Sequence, residues 1–325
     1  MKSAIGIDIG GTNIKAVLVS GSGDILKRVM EPTPTERGGS QEKIRNALMK
    51  ILRAIVNDRV IGIGFGIAGV IDREKGLVLE SPNIPEINGF RVKDTFEKEF
   101  SLPVVVDNDA NTYAYGEKWI GVGKDIDNFA LLTLGTGLGG GIIYKGEVFD
   151  GPAEIGHMVI EPRGRVCTCG SYGCLESYAS GRAVMDMAIS ALEKGAKSML
   201  TECCDGNFYK ITPELVYKTA LEGDNLSRDI FRETGQYLGI GIGNLINIFN
   251  LDAVVFGGGL IGAWDLFIED VKKEFLKRSF KSLSSGIKIL KSVLKEDGGS
   301  IGAAGLVLKI SGQGLSDKGS SQPSA

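Results

Sequence analysis

The chain has 325 residues, of which 43% are hydrophobic and 24% charged, so we expect an ordinary globular protein with two domains or one large one. Its net charge of −3 and isoelectric point of about 5.5 give no global signal for nucleic acid or anionic lipid, and neither is expected as a partner. An early aspartate and glycine pair break the N-terminal apolar stretch, and no run reaches the ~18 apolar residues of a membrane span. We therefore expect a cytoplasmic protein.

Three glycine clusters each follow an apolar, strand-like run. A glycine turn after a strand lets the backbone approach a ligand closely. The first two clusters both have the pattern strand, glycine turn, strand, which we interpret as a weak internal duplication of two domains that each open with a β-hairpin. The clusters and their strands are Gly10-Gly11 after Ala4–Ile9, Gly135 to Gly141 after Phe129–Leu134, and Gly257-Gly258-Gly259 after Ala253–Phe256.

The remaining chain alternates strand-like and helix-like segments, which predicts an α/β fold with ligands at the carboxyl ends of strands. The tail 311–325 is rich in glycine and serine without an apolar period, which predicts disorder. The predicted helices are 41–56, one starting at Thr212-Pro213, 228–250 and 300–310, and the further predicted strands are 60–66, 103–106 and 287–294.

The segment from Asp8 to Lys15 has the chemistry of a phosphate-binding turn. Gly10 and Gly11 permit a tight turn whose N–H groups can face phosphate oxygens. Thr12 adds a hydroxyl donor and Lys15 a positive charge, and Asp8 could hold Mg²⁺ through water. An ordinary glycine hairpin explains this segment alone about as well.

The stretch Leu134–Gly141 repeats this chemistry. Two such turns on matched hairpins, with a third glycine triplet after a strand, predict one nucleotide gripped between two domains. The chain has no Walker-type G-x-x-x-x-G-K-[ST] motif, and no G-x-G-x-x-G order opens a Rossmann unit. A different nucleotide-binding scaffold is therefore expected.

One histidine and three clustered cysteines form the pattern H-x9-C-x-C-x4-C, from His157 through Cys167 and Cys169 to Cys174. Cysteines so crowded are poorly placed to form disulfide bonds with one another. Three thiolates and an imidazole are a standard tetrahedral zinc set, so a structural zinc site is predicted.

The polar run Asp107-Asn108-Asp109 follows the predicted strand at 103–106. Polar residues at the end of a buried strand usually cap the next element, and the run in isolation leaves that explanation open. A carboxylate there could also serve as a general base.

Taken in order, these motifs resemble the ROK family of sugar kinases and repressors within the hexokinase–actin-like ATPase superfamily. The resemblance runs from about Ile5 to Leu308 and rests on DIGGTNIK, VVVDNDAN, LGTGLGGGI, AEIGH followed by CTCGSYGCLE, and VVFGGG. It implies the two-domain actin-like ATPase (ribonuclease H-like) fold, with an active-site cleft between the domains. The first α/β domain would comprise residues 1–117 and 298–325, and the second, with the zinc knuckle, residues 118–297.

The resemblance also implies the residue roles. Asp109 would be the catalytic base, whereas Asp107 would be structural. The substrate-binding residues would be Gly69, Asn83, Asn108, Asp109, Glu154, His157 and Glu176, although a turn role before Pro85 explains Asn83 equally well. The residues for ATP and its Mg²⁺ would be Asp8, Gly10, Gly11, Thr12, Asn13, Lys15, Thr136, Gly137, Gly257, Gly258 and Gly259. The structural Zn²⁺ would be held by His157, Cys167, Cys169 and Cys174.

The activity implied is ATP-dependent phosphorylation of a hexose, with glucose and its 6-hydroxyl expected first. A kinase for N-acetylmannosamine or another hexose is the alternative, because room at the sugar C2 cannot be read from sequence. A sugar-sensing transcriptional regulator is less expected, because it would need a DNA-binding module before the first glycine turn and only four residues precede Ile5. A homodimer or higher homo-oligomer is the family-based expectation.

Overall fold

The structure is a computed structural model that describes residues 2–35 and 39–316. The chain divides into two compact units, the first comprising residues 1–126, 141–153 and 292–325 and the second residues 127–140 and 154–291. The strands are β1 Ser3–Ile9, β2 Asn13–Ser20, β3 Ile25–Pro32, β4 Val60–Ile67, β5 Val70–Asp72, β6 Leu77–Glu80, β7 Val104–Asn108, β8 Phe129–Leu134, β9 Leu138–Tyr144, β10 Glu147–Val148, β11 Ala253–Gly257 and β12 Lys288–Lys291.

The helices are α1 Gln41–Ile55, α2 Val92–Phe100, α3 Asp109–Trp119, α4 Glu176–Ala179, α5 Gly181–Glu193, α6 Leu200–Cys203, α7 Pro213–Glu222, α8 Asn225–Phe249, α9 Trp264–Arg278, α10 Lys281–Ser284 and α11 Gly298–Ser316. Short 3-10 helices occupy Pro85–Ile87, Ile155–His157, Phe208–Lys210, Gly259–Ala263 and Lys295–Asp297.

The two large sheets have the same strand order. The first is β3-β2-β1-β4-β7 and the second is β10-β9-β8-β11-β12. In each, a hairpin with a three-residue turn is followed by two strands that add in parallel, β4 and β7 beside β1, and β11 and β12 beside β8. These sheets confirm the predicted α/β class and the internal duplication.

The alternation of side chains along β1 fixes where its last polar residue lies. Ile5, Ile7 and Ile9 belong to the core cluster that includes α1 and α2 residues, whereas Ala4 packs with α11 on the other face. A Cβ on Gly6 would lie 1.8 Å from the Ser300 carbonyl oxygen, so α11 lies directly on the strand there. Because side chains alternate with period two, Asp8 falls on the α11 face, near the start of that helix.

Three of the predicted helices begin at polar caps, and α8 begins at Asn225, three residues before its predicted start. Ser40 caps α1, Thr212 caps α7 with proline at the first helical position, and Asp224 caps α8. Each side chain accepts a hydrogen bond from an N–H of the first turn, which otherwise has no partner within the helix. The sequence did not predict α9 or the β5–β6 hairpin.

The last helix extends further than its apolar pattern. α11 runs from Gly298 to Ser316, six residues into the segment predicted to be disordered, because extending an existing helix carries no nucleation cost. The rest of that tail, residues 317–325, lies outside the described residues. Within the described residues, no helix is both long and apolar enough to span a bilayer.

Candidate active site

A three-residue glycine turn joins β1 to β2. The Gly10 N–H closes the turn by donating to the Asn13 carbonyl at 3.0 Å, and the carbonyls of Gly10 and Thr12 accept from Thr33. Within the described part of the chain, the N–H groups of Gly11 and Thr12 donate to no protein acceptor. The turn thus presents two adjacent backbone donors, as an anion-binding loop requires, whereas the predicted donor Gly10 serves the turn itself.

Asp8 and Lys15 flank this turn as cross-strand partners. The Lys15 ammonium lies 3.4 Å from the Glu296 carboxylate. The pKa of Asp8 is raised to about 7, first by burial and then by the negative charge of Asp109, and the Lys15 ammonium opposes the shift. Asp8 pairs with Gly66 of β4, and a Cβ on Gly66 would lie 3.4 Å from the Asp109 Cα, so the two aspartates lie close together at the end of the first sheet.

Asn108 and Asp109 lie at the junction of β7 and α3. The Asn108 side-chain oxygen caps α3 by accepting from the N–H groups of Ala110 at 2.8 Å and Asn111 at 3.2 Å. One Asn108 amide hydrogen goes to the Gly69 carbonyl at 3.0 Å. Asn108 is thus mainly a structural cap, and its second amide hydrogen is what remains for the predicted sugar contact.

Asp109 is the first residue of α3 and is half-buried. Its carboxylate accepts from the Ala110 N–H at 2.9 Å. Burial raises the pKa of Asp109, and the hydrogen bond from Ala110 opposes the shift. A carboxylate with a raised pKa is a stronger proton acceptor once ionised, which suits a general base.

Gly69 and Asn83 occupy two loops of the same unit. Gly69 has φ +134°, and a Cβ there would lie 2.2 Å from the Glu80 carbonyl oxygen, so no other residue fits without backbone movement. Asn83 is exposed, and a Cβ on Gly11 would lie 3.6 Å from the Asn83 Cβ. Asn83 therefore lies beside the first glycine turn.

The second glycine turn, between β8 and β9, has the same design. The Gly135 N–H donates to the Gly137 carbonyl at 3.0 Å, and the Gly135 carbonyl accepts from the Gly181 N–H at 2.8 Å. The Thr136 carbonyl accepts from the Arg182 N–H at 3.2 Å. The N–H groups of Thr136 and Gly137 have no protein acceptor among the residues the structure describes, so this turn also offers two adjacent donors.

The third glycine triplet lies beside the end of β8. Gly257 is the last residue of β11 and pairs with Thr133. Gly258 has φ +87°, and a Cβ on it would lie 2.4 Å from the Leu134 carbonyl oxygen. A Cβ on Gly259 would meet no atom within 4 Å. The triplet therefore packs closely at Gly258 and leaves open space at Gly259, next to the strand that carries the second turn.

Glu176 connects the second turn to the cysteine-rich segment. One carboxylate oxygen accepts from the Leu138 N–H at 2.8 Å, and the other accepts from the Thr168 hydroxyl at 3.2 Å. Leu138 follows the turn directly, and Thr168 lies between two of the predicted zinc ligands. The two contacts fix the orientation of the carboxylate.

The predicted zinc ligands come together. The nearest ligand atoms of His157, Cys167, Cys169 and Cys174 all lie within 4.8 Å of one another. Cys169 Sγ is 3.8 Å from Cys174 Sγ, and His157 Nδ1 is 3.7 Å from Cys167 Sγ. A tetrahedral site with Zn–S bonds of ~2.3 Å has S···S edges of about 3.8 Å, so the four residues fit zinc.

One cysteine of the cluster favours the thiolate form, whereas burial and the neighbouring thiols raise the pKa of Cys174 to about 12. Burial acts to raise the pKa of Cys167, but hydrogen bonds from the Cys169 backbone and the Ser177 and Cys169 side chains lower it to about 7. The thiolate is the form that binds metal. Glu154 lies next to this cluster in sequence, and its carbonyl accepts from the His157 N–H at 3.0 Å.

The predicted site residues fall into two groups, one in each unit. The first unit holds Asp8, the first glycine turn, Lys15, Gly69, Asn83, Asn108 and Asp109. The second holds the second glycine turn, Glu154, His157, the three cysteines, Glu176 and the third triplet.

Sequence reasoning missed Arg73, which lies in the turn between β5 and β6. Its guanidinium is 2.9 Å from the Asp107 carboxylate, which is 2% exposed. Burial raises the pKa of Asp107, and the charge of Arg73 opposes the shift. The available signal was indirect, because a buried aspartate requires a cation or several donors.

Comparison with known proteins places this geometry in context. A sequence model of the ROK family matches residues 4–310. A glucokinase of Thermotoga maritima is 34% identical over 93% of this chain and 96% of its own length. A xylose repressor of Caldicellulosiruptor bescii is 33% identical over 94% of this chain and 78% of its own length.

A crystal structure of a ROK family glucokinase from Streptomyces griseus, in complex with glucose and AMPPNP, superposes with a TM-score of 0.77. It is 35% identical in sequence, and the match covers 94% of this chain and 98% of that one. The predicted actin-like ATPase fold is therefore confirmed.

Proposed function

Because the chain belongs to the ROK family, we propose that it is an ATP-dependent sugar kinase. The observation that carries the proposal is the half-buried Asp109 carboxylate at the start of α3. Burial and the charge of Asp109 raise the pKa of Asp8, which lies two residues before a turn with two N–H groups that have no protein acceptor among the described residues. A base near a phosphate-binding turn is what phosphoryl transfer to a hydroxyl group requires.

In the proposed reaction, Asp109 accepts the proton of the sugar 6-hydroxyl. The sugar oxygen forms a bond to the γ-phosphorus of ATP while the bond between that phosphorus and the β–γ bridging oxygen breaks, and ADP leaves. General base catalysis of this kind typically contributes ~10²–10⁴-fold. The remaining acceleration comes from orientation and charge neutralisation.

The glycine turns would bind the phosphates. Gly11 and Thr12 in one turn, and Thr136 and Gly137 in the other, offer N–H donors without protein partners in the described residues. Mg²⁺ would arrive with ATP and neutralise phosphate charge, and Asp8 is the residue that would hold it through water. Lys15 would add a positive charge on the same side as Asp8.

Glucose is the proposed substrate and the 6-hydroxyl the proposed acceptor. Glu154, His157 and Glu176 would accept hydrogen bonds from, or donate them to, vicinal sugar hydroxyls, and such polar sets reject ligands that leave them unpaired. The glucose complex of the Streptomyces griseus relative supports this choice. His157 Nδ1 faces Cys167, so a structural zinc held there would leave Nε2 for the sugar.

A coupled assay of ADP release tests the proposal across glucose, mannose, N-acetylmannosamine, fructose and allose with Mg²⁺. We expect the fastest turnover with glucose. If N-acetylmannosamine is the best substrate, the proposed sugar changes but the proposed kinase activity stands. Sugar binding without ADP release from any of the five would refute the kinase and favour a sugar-responsive regulator, as the repressor relatives suggest.

The proposal includes a homodimer. The chain has a mass of 34.6 kDa, so light scattering coupled to size exclusion should give about twice that value. A monomer mass at micromolar concentration would refute the proposed dimer but would not affect the proposed kinase activity.

A further inference from the structure

A buried carboxylate on α3 has no role in the proposed chemistry. Glu117 is fully buried, and in the described part of the chain no cation pairs with it. Its oxygens accept from the Ser292 hydroxyl at 2.5 Å, the Leu294 N–H at 3.2 Å and the Val122 N–H at 2.8 Å. Burying a carboxylate is costly even when it is hydrogen-bonded, so this site calls for a functional explanation.

Tyr113 extends the same cluster one helical turn closer to Asp109. Its hydroxyl is 2.7 Å from the Ser292 hydroxyl and donates to the Lys295 carbonyl at 2.5 Å. Lys295 has φ +52°, a left-handed conformation that is unfavourable for a residue other than glycine. The Tyr113 hydroxyl therefore holds a strained residue in place.

The segment from Ser292 to Gly299, which we call the linking segment, also contacts the strands of the glycine turn. Glu296 pairs with Lys15. A Cβ on Gly299 would lie 3.1 Å from the Asp8 carboxyl group, so Gly299 abuts that side chain. One short segment thus touches both the helix that begins at Asp109 and the strand that carries Asp8.

The ring of Tyr113 also fixes the distance between α3 and the linking segment. A Cβ on Gly298 would lie 1.9 Å from a ring carbon of Tyr113, so the linking segment and α3 are in direct contact. Packing of this density transmits small displacements, because there is no free volume into which the side chains could move. A shift of α3 relative to the linking segment would change the distance between Asp109 and Asp8.

We infer that Glu117, Ser292 and Tyr113 are positioning residues that hold the Asp109 carboxylate at its working distance from Asp8. This inference rests on the proposed function, in which Asp109 is the base and Asp8 lies on the phosphate side. Loss of one hydroxyl from the cluster should leave the substrates bound but misplace the base. A misplacement of ~1 Å can cost up to ~100-fold in rate.

The test uses Tyr113→Phe and Ser292→Ala, each of which removes one hydroxyl and keeps the packing nearly unchanged. We expect kcat to fall about tenfold in each, with KM for glucose and ATP within about twofold of wild type. The double variant should be about as slow as the slower single variant, because both hydroxyls act through one cluster. Ser292→Thr, which keeps the hydroxyl, should restore most of kcat.

Ser227→Ala is the matched control. It removes a hydroxyl that is also buried and lies 2.8 Å from the Thr219 hydroxyl in the second unit. We expect lower stability but wild-type kcat. The inference is overturned if both cluster variants keep kcat within twofold, if their losses multiply in the double variant, or if the control loses kcat equally.

A second measurement separates this inference from the proposed function. If the cluster holds α3 in place, amide hydrogen exchange in the first turn of α3 and at Gly299 should become faster in Ser292→Ala, with or without enzyme activity. If wild type turns over no hexose and this exchange is unchanged in Ser292→Ala, both ideas fail. Faster exchange in an inactive protein would refute the kinase alone, and unchanged exchange in an active protein would overturn the positioning role alone.

Discussion

Replacing Asp8 by asparagine should make the protein more stable at alkaline pH while abolishing activity. The pKa of Asp8 is raised from 3.8 to about 7 by burial and by the nearby Asp109 charge. Above pH 4 the unfolded chain has lost the Asp8 proton, whereas the folded chain retains it until about pH 7. The free energy of unfolding therefore falls as pH rises through this window.

The size of the effect follows from the pKa difference. A shift from 3.8 to about 7 corresponds to at most about 4 kcal/mol, at about 1.36 kcal/mol per pKa unit. Asp8 keeps some contact with solvent, which screens part of the cost, so we expect about 2 kcal/mol. An amide does not ionise, so Asp8→Asn should match wild type near pH 4 and exceed it by about that amount at pH 8.

Urea unfolding of wild type and Asp8→Asn at several pH values between 4 and 8 measures this difference. Trp119 lies on α3 in the same unit as Asp8, whereas the other tryptophan, Trp264, lies in the second unit, so fluorescence in a Trp264→Phe background reports the relevant transition. Asp72→Asn is the control of opposite sign, because the Lys75 N–H holds the pKa of Asp72 below its usual value. That variant should gain nothing at pH 8. A constant stability difference between Asp8→Asn and wild type across the whole range would refute the reasoning.

Three further outcomes follow from the site. Asp109→Asn should lower kcat by ~10²–10⁴-fold with little change in glucose affinity, and a variant retaining more than about a tenth of wild-type kcat would remove Asp109 as the base. We expect elemental analysis to find one zinc in wild type and none in Cys169→Ser, and we expect weaker glucose binding by the variant in calorimetry, whereas unchanged affinity in a zinc-free variant would show that sugar binding does not depend on the metal. Gly69→Ala should cost more than about 1 kcal/mol in chemical unfolding, because its Cβ would collide with the Glu80 carbonyl; wild-type stability would show that the loop relaxes freely.

The parts that sequence could predict are those set by local pattern. The hairpin turns follow from glycines directly after apolar strands, and the predicted strand 129–134 matches β8 at both ends. The His157 and cysteine cluster was predictable because a metal site imposes both residue type and spacing. The alternation of Ala4, Gly6 and Asp8 also indicates where Asp8 lies. The two small residues let α11 approach one face of β1, and Asp8 is on that same face.

The parts that sequence could not predict are contacts between distant residues. Arg73 and Asp107 are 34 positions apart, and no sequence motif links the two residues. Glu117 and Ser292 are 175 positions apart. Such pairs depend on how separate helices, strands and loops pack against one another. The hydrophobic period of a single helix or strand contains no information about that packing.

One product analysis tests directly whether this chain, as proposed, transfers the γ-phosphoryl group of ATP to the 6-hydroxyl of a hexose. Phosphorus and carbon NMR of the products from glucose, Mg²⁺ and ATP identify the oxygen that is phosphorylated, with Asp109→Asn as the blank. We expect glucose 6-phosphate and ADP in equal amounts, and almost none with the variant. ADP with inorganic phosphate alone, a phosphate on another oxygen, or equal product from Asp109→Asn would contradict it.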